Sequence, residues 1–197
     1  MPLPILTYGH VQLRQPCAAA DPQDQDLPAL IKNMWETMHA AKGSGLAANQ
    51  VGVDARLFVI DSQTTFDHMR VESRSVYYPG DHGIREVFIN PCITSYSSRE
   101  WEYEEGCLSI PGIHVNVTRP WSIHIEYLDQ QLQPQSRFFE GLTARMILHE
   151  YDHLEGVLLT DYIKSWRLKL LQYKLKRISK GKVKTAYEMK GVKSIKV

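Results

Sequence analysis

The stretch Leu148–Gly156, "LHEYDHLEG", decides how this chain is read. It holds two histidines four residues apart, a carboxylate directly after the first, and a glycine three residues after the second. A helix turns about 100° per residue, so His149 and His153 leave one face a single turn apart and can reach the same ion. Glu150 then sits at the edge of that face, within reach of a water on the ion. This is an HExxH arrangement, and an ion held by it needs at least one more protein ligand.

The rest of the chain limits where that ligand can lie. With 197 residues and 43% hydrophobic content there is enough chain for one real core and no need of two. No apolar run approaches the ~20 residues of a membrane span. The opening "MPLPILTYGH" has no positive charge ahead of its apolar residues and does not read as a signal or transit peptide. Three cysteines, Cys17, Cys92 and Cys107, are too few and too irregular for a disulfide framework, which points to a reducing compartment. The net charge of +1 hides an asymmetry. Residues 162–197 carry 12 Lys+Arg against one acid, Glu188, leaving 11 basic and 21 acidic residues before them.

Leu27, Leu30, Ile31, Met34, Trp35, Met38 and Ala41 recur on a helical period, with Asp24 or Asp26 as candidate caps and Gly43 as the stop. "RLFVI" (56–60) and "EVFIN" (86–90) read as buried strands, and the unperiodic segment 61–85 between them as a surface loop or insertion. "GIHVNV" and "WSIHIEYL" alternate as strands, and "RFF" is a short one. The histidine helix follows over about 142–155, and a basic helix stops near Gly181. This order predicts an α+β fold with antiparallel β-sheets packed around the central metal-binding HExxH helix and closed by a C-terminal helix. We expect a catalytic domain over 1–161, with the basic helix and tail of 162–197 packed on it. Ile163, Trp166, Leu170 and Tyr173 would be the packing face of that helix.

Downstream of the histidines, the metzincin spacing holds through Gly156, but Leu159 stands where a third histidine belongs. No glutamate lies between Glu155 and Glu188, which leaves Asp161 as the nearby carboxylate. The upstream candidate is "EEGCLSIPG". Cys107 follows Gly106, which lets the backbone come close to something, and its thiolate is a strong ligand for iron or zinc. Cys17 and Cys92 read as small buried residues. A third stretch, "GSGLAANQVGV" (43–53), has two glycines two apart and the amide of Gln50, but lacks the Lys-Ser/Thr of a phosphate loop.

"GSGLAANQVGV", "EGCLSIPG" and "HEYDHLEG", in this order and at these separations, resemble the three motifs of the peptide deformylase family. "PILTYGHVQLR", "INP" and the pair Arg119, Pro120 agree, so the resemblance runs from about residue 4 to 165. It implies removal of the N-formyl group from formyl-methionine of newly made polypeptides. It further implies one divalent ion held by Cys107, His149 and His153 with a fourth position open, Fe2+ in the cell, with Zn2+, Ni2+ or Co2+ able to replace it. Glu150 would move the proton, and the Gln50 amide and the Leu108 N–H would receive the oxyanion. Gly45 would lie against the substrate. Ser44, Tyr103, Leu142, Arg145 and Met146 would line the methionine side, with core packing an equally economical role for Leu142 and Met146. Asp152 orients a ligand or serves as an exposed or capping residue. The sequence departs from the common family pattern at Leu148, where glutamine often stands, and at Ser44 and Tyr103, which are often aliphatic.

The basic tail suits rRNA near the ribosomal exit, where formylated chains emerge, with no sign of base-specific nucleic-acid recognition. A monomer in a bacterial cytoplasm, with no membrane contact, completes the expectation. Two rivals stand beside it: a zincin endopeptidase, disfavoured by the missing downstream ligand, and a silent ribosome-bound relative, disfavoured by the retained Glu150.

Overall fold

All five residues of strand β3, Leu57–Asp61, are buried, which explains why this segment reads as an unbroken apolar run instead of an alternation. Its two faces serve two helices. Leu57 and Val59 join a cluster with Ile31, Met34 and Met38 of helix α1, Leu27–Ala40, while Phe58 and Ile60 join one with Ala144, Ile147 and Leu148 of helix α4, Gly141–Leu154. Strand β4, Arg85–Tyr96, repeats the division, with Val87 and Ile89 toward α1 and Phe88 toward α4. The computed structural model from which this geometry is taken describes residues 1–192.

These strands are part of a five-stranded antiparallel sheet in the order β2 (Gly45–Ala47), β3, β4, β7 (Ser122–Leu128) and β8 (Pro134–Glu140). Ile123, Ile125 and Tyr127 of β7 alternate inward onto the α4 layer, as the sequence pattern requires. A separate hairpin of β5 (Glu100–Gly106) and β6 (His114–Pro120) stands beside it. Val115 and Val117 of β6 pack against Leu175 and Ile178 of helix α5, Ser165–Ser179. One short parallel pair, β1 (Ile5–Leu6) with β9 (Met189–Lys190), is the exception to the antiparallel pattern.

Helix α4 places both histidines, and its ends are fixed by glycine. Gly141 enters at φ +61°, where a Cβ would stand 2.2 Å from the Tyr77 carbonyl oxygen. Gly156 leaves at φ +71°, with Val157 N–H donating to Asp152 O and Gly156 N–H to His153 O, a Schellman ending. The glycine three residues past the second histidine is therefore what stops the helix.

Four expectations are corrected. Segment 61–85 is not an unstructured loop: it contains two short helices, α2 (Ser62–His68) and α3 (Val71–Tyr77), each too brief to show a helical period. Helix α1 turns at Lys42 (φ +56°) rather than Gly43, and neither aspartate caps it by side chain: Asp26 holds the N-cap position without a cap bond, while Asp24 Oδ1 accepts the Asp26 N–H. Of the four residues expected to pack the basic helix, only Ile163, which lies just before α5, is buried; Trp166, Leu170 and Tyr173 on α5 are 63%, 75% and 75% exposed. Leu175 and Ile178 do that packing instead. Finally, Cys17 is buried as expected, but Cys92 is exposed.

Candidate metal centre and active site

The turn after β5 carries Cys107 against α4, and the three candidate ligands converge there. Donor atoms of Cys107, His149 and His153 all lie within 4.8 Å of one another, the group among the described residues able to hold an ion. Cys107 Sγ is 3.2 Å from His153 Nε2. Burial, with His149 and Arg119 nearby, holds His153 well below its usual pKa and so in the neutral form that coordinates. His149 is pulled the other way: burial lowers it, but Cys107 and Glu105 outweigh that and raise it. One cysteine and two histidines converging in this way fit a divalent ion of the iron or zinc type.

His149 is aimed from behind. Its Nδ1 is 2.9 Å from Glu105 Oε2, and Arg119 grips the same carboxylate from two nitrogens, at 2.7 and 3.0 Å. Arg145 adds a contact of 2.6 Å to Oε1. Burial pushes Glu105 up, but the hydrogen bonds from His149 and Arg119 outweigh it and hold the carboxyl well below its usual range. Asp152 closes the chain by pairing with Arg119 at 2.9 Å and accepting from Tyr162 Oη at 2.8 Å. Asp152 thus supports the candidate ligand His149 through Arg119 and Glu105.

A cavity of about 590 Å³ opens in front of these residues. Its lining includes Cys107, His149, Glu150, Gln50, Gly45, Ser44, Tyr103, Leu108, Leu142, Arg145 and Met146, while His153 lies behind it at 1% exposure. Arg145 is not a free cation in that wall. It is 2% exposed and lies over the Trp101 ring at 4.3 Å, with its charge engaged by Glu105. Leu142 packs with Phe66 and Tyr78, so the helices of the 62–77 segment back the same wall.

Glu150 is 5% exposed, and its Oε2 has no hydrogen-bond partner. Burial pushes its carboxyl up to about 7. Gln50 is oriented by its own turn: Oε1 accepts the Ala47 N–H at 2.8 Å, which turns Nε2 toward Cys107 Sγ (3.6 Å) and Ser109 Oγ (3.2 Å). Glu105 and Arg119 both stand in stretches that the sequence singles out, yet no local pattern reveals their contacts, because only the folded β5–β6 hairpin brings Arg119 to Glu105 and Glu105 to His149.

A buried cluster of one cysteine and two histidines with an unpartnered carboxyl group at its edge, on this mixed fold, defines a metallohydrolase. A family profile described as "Polypeptide deformylase" matches residues 2–169. The chain is 42% identical over 190 residues to "Peptide deformylase" of Christiangramia forsetii and 43% over 195 residues to that of Flavobacterium johnsoniae, covering 96% of both chains in each case. Among solved structures it is similar to peptide deformylase from Ehrlichia chaffeensis, with a TM-score of 0.79, 33% identity, and 90% and 96% of the two chains covered. Another structure of that enzyme, in complex with actinonin, matches with a TM-score of 0.77 at 32% identity, covering 89% and 96%. The chain belongs to the peptide deformylase family, metal-dependent hydrolases that deformylate new polypeptides.

Proposed function

We propose that deformylation on this chain is carried out by Glu150, Gln50 and the Leu108 N–H, with Cys107, His149 and His153 holding one divalent ion, Fe2+ in the cell. The observation that carries this assignment is the buried, unpartnered carboxylate of Glu150 in the cavity wall beside three converging donors. When bound, the ion supplies Lewis acidity, polarising the formyl carbonyl and making water nucleophilic near neutral pH.

The remaining work falls to the protein. Glu150, with a carboxyl near 7, accepts a proton from the attacking water and returns it to the departing amine. The Gln50 amide and the Leu108 N–H donate to the oxygen that gains charge, and loss of one such donor costs on the order of 10²–10³ in rate. Gly45 lies in the cavity wall, where its backbone would stand against the substrate and leave room for a formyl hydrogen and little more; its missing Cβ also keeps strand β2 clear of Glu150. That limit supports selectivity for formyl over acetyl. Ser44, Tyr103, Leu142 and Met146 form the methionine side of the cavity, and Arg145 stiffens it from within its ion pairs.

The division into a catalytic body over 1–161 and a basic helix and tail over 162–197 belongs to the same proposal, as does a monomer in a bacterial cytoplasm. Among the described residues no helix is long and apolar enough to cross a membrane. Contact of α5 with the ribosome is supported by its charge and by the exposure of Trp166, Leu170 and Tyr173 among its cations.

The test is anaerobic preparation with ferrous iron or nickel, then metal content and formate release from formyl-Met-Ala. Glu150→Ala should keep about one ion per chain and lose turnover; Cys107→Ala should lose the ion. Tight metal binding without Cys107 would overturn the ligand set.

A further inference from the structure

The backbone does not leave the body after the basic helix. It turns at Gly181 (φ +65°) and comes back across the molecule to β9, where the Ile5 N–H donates to Glu188 O at 3.0 Å and the Thr7 N–H to Lys190 O at 3.1 Å. On the way Lys184, Thr185 and Tyr187 enter the lining of the substrate cavity. The Thr185 hydroxyl donates to the Tyr187 carbonyl at 2.7 Å, bracing the strap at the point where the tyrosine projects.

Tyr187 is half-buried beside Leu108, packed on the α1 cluster, and its hydroxyl donates to the Leu108 carbonyl at 2.8 Å. No backbone N–H reaches that carbonyl among the described residues. From another side Leu108 is hemmed in by Gly43, where a Cβ would fall 2.8 Å from Leu108 Cδ1. Leu108 directly follows the thiolate ligand, and its own N–H is the oxyanion donor assigned above. Burial, with Cys107 nearby, pushes the phenol up to about 12, so its proton stays in place across the working range of pH.

We propose that the return segment 182–190 is a working wall of the substrate cavity and that Tyr187 is a positioning residue: its hydroxyl fixes Leu108 and thereby the direction of the Leu108 N–H. The inference rests on the oxyanion assignment made under the proposed function. The N–H and the carbonyl of Leu108 belong to adjacent peptide planes that share its Cα. Releasing the carbonyl frees the second plane to rotate, and the first loses its fixed orientation with it. Donors of this kind engage most strongly as charge develops, so the loss falls on kcat more than on KM.

The experiment uses the full-length, metal-loaded protein with formyl-Met-Ala, comparing Tyr187→Phe with Gln50→Ala. The phenylalanine keeps the ring and its packing and removes only the donor. Expected for Tyr187→Phe are unchanged metal content, KM within about twofold, and kcat lower by about three- to tenfold, the size of one neutral hydrogen bond. A change in KM alone, or none in either constant, would overturn the positioning role. Gln50→Ala separates the two levels. If it lowers kcat by about 10² or more while Tyr187→Phe does nothing, the oxyanion hole stands and the proposal falls. If Gln50→Ala leaves kcat intact, the oxyanion assignment itself fails.

Discussion

A Cβ built on Gly45 falls 2.5 Å from Glu150 Oε1 and 2.7 Å from Glu150 Cγ, so strand β2 and helix α4 are fitted to each other at the reacting centre. The side chain that would have to give is the proposed proton carrier itself. Gly45→Ala is therefore expected to retain metal and fold while losing about 10² in kcat, since an ångström of misplacement costs about that much. Formate release at saturating substrate, beside metal content, checks it; normal turnover would show that Glu150 has room to move.

Glu150 itself is expected to be a stability liability in the metal-free protein. Its folded pKa of about 7 lies above the roughly 4.3 of an unfolded glutamate. The folded state thus binds more protons between those values, and stability falls as pH rises through about 7. Glu150→Gln removes this cost and should stabilise the apoprotein by about 2–4 kcal/mol at pH 8, with little effect at pH 4. Denaturant unfolding at the two pH values tests this; equal gains at both would contradict it.

The carboxylate of Glu105 behaves in the opposite sense. Its pKa is depressed, so its contribution is complete above the unfolded value near 4.3 and is lost as pH falls toward the folded one. Glu105→Gln leaves Arg145 buried without its anion and Arg119 with Asp152 alone, at an expected cost of about 3–5 kcal/mol near neutral pH. It also releases His149, which should weaken metal affinity by about 10–100-fold. Thermal unfolding and competition with a chelator read the two effects separately, and a variant with wild-type affinity would remove Glu105 from the support of the ion.

The exposed face of α5 gives a prediction away from the chemistry. Trp166→Ser with Lys169→Glu should weaken co-sedimentation with ribosomes several-fold, and more so at low salt, while hydrolysis of formyl-Met-Ala stays within about twofold. Equal sedimentation of both proteins at every salt concentration would leave the helix without that partner.

What sequence could carry was local. His149 and His153 share a face because a helix turns by a fixed angle, and β3 reads as buried because each of its residues is apolar up to Asp61. Glu105, Arg119 and Tyr187 act through pairings across tens of residues, which no period encodes. Trp166, Leu170 and Tyr173 show the converse limit. Their spacing does define one side of a helix, but spacing does not say whether the body or the solvent meets it. Gly43 is a milder case: a glycine at a helix end suggests the turn itself, yet Lys42 takes the left-handed conformation and the glycine makes way for Leu108.

The pairing of β1 with β9 has a consequence for the order of events at synthesis. Residues 182–190 leave the ribosome after every ligand and every proton-handling group has been made, and they close a loop that spans nearly the whole chain. Closing so long a loop comes late in folding. A chain still attached at residue 180 can gather its histidines and cysteine, but the cavity has one side missing and Leu108 lacks its tether. Each new molecule thus becomes fully competent only after residues 182–190 have emerged and paired, later than every group proposed to do the chemistry.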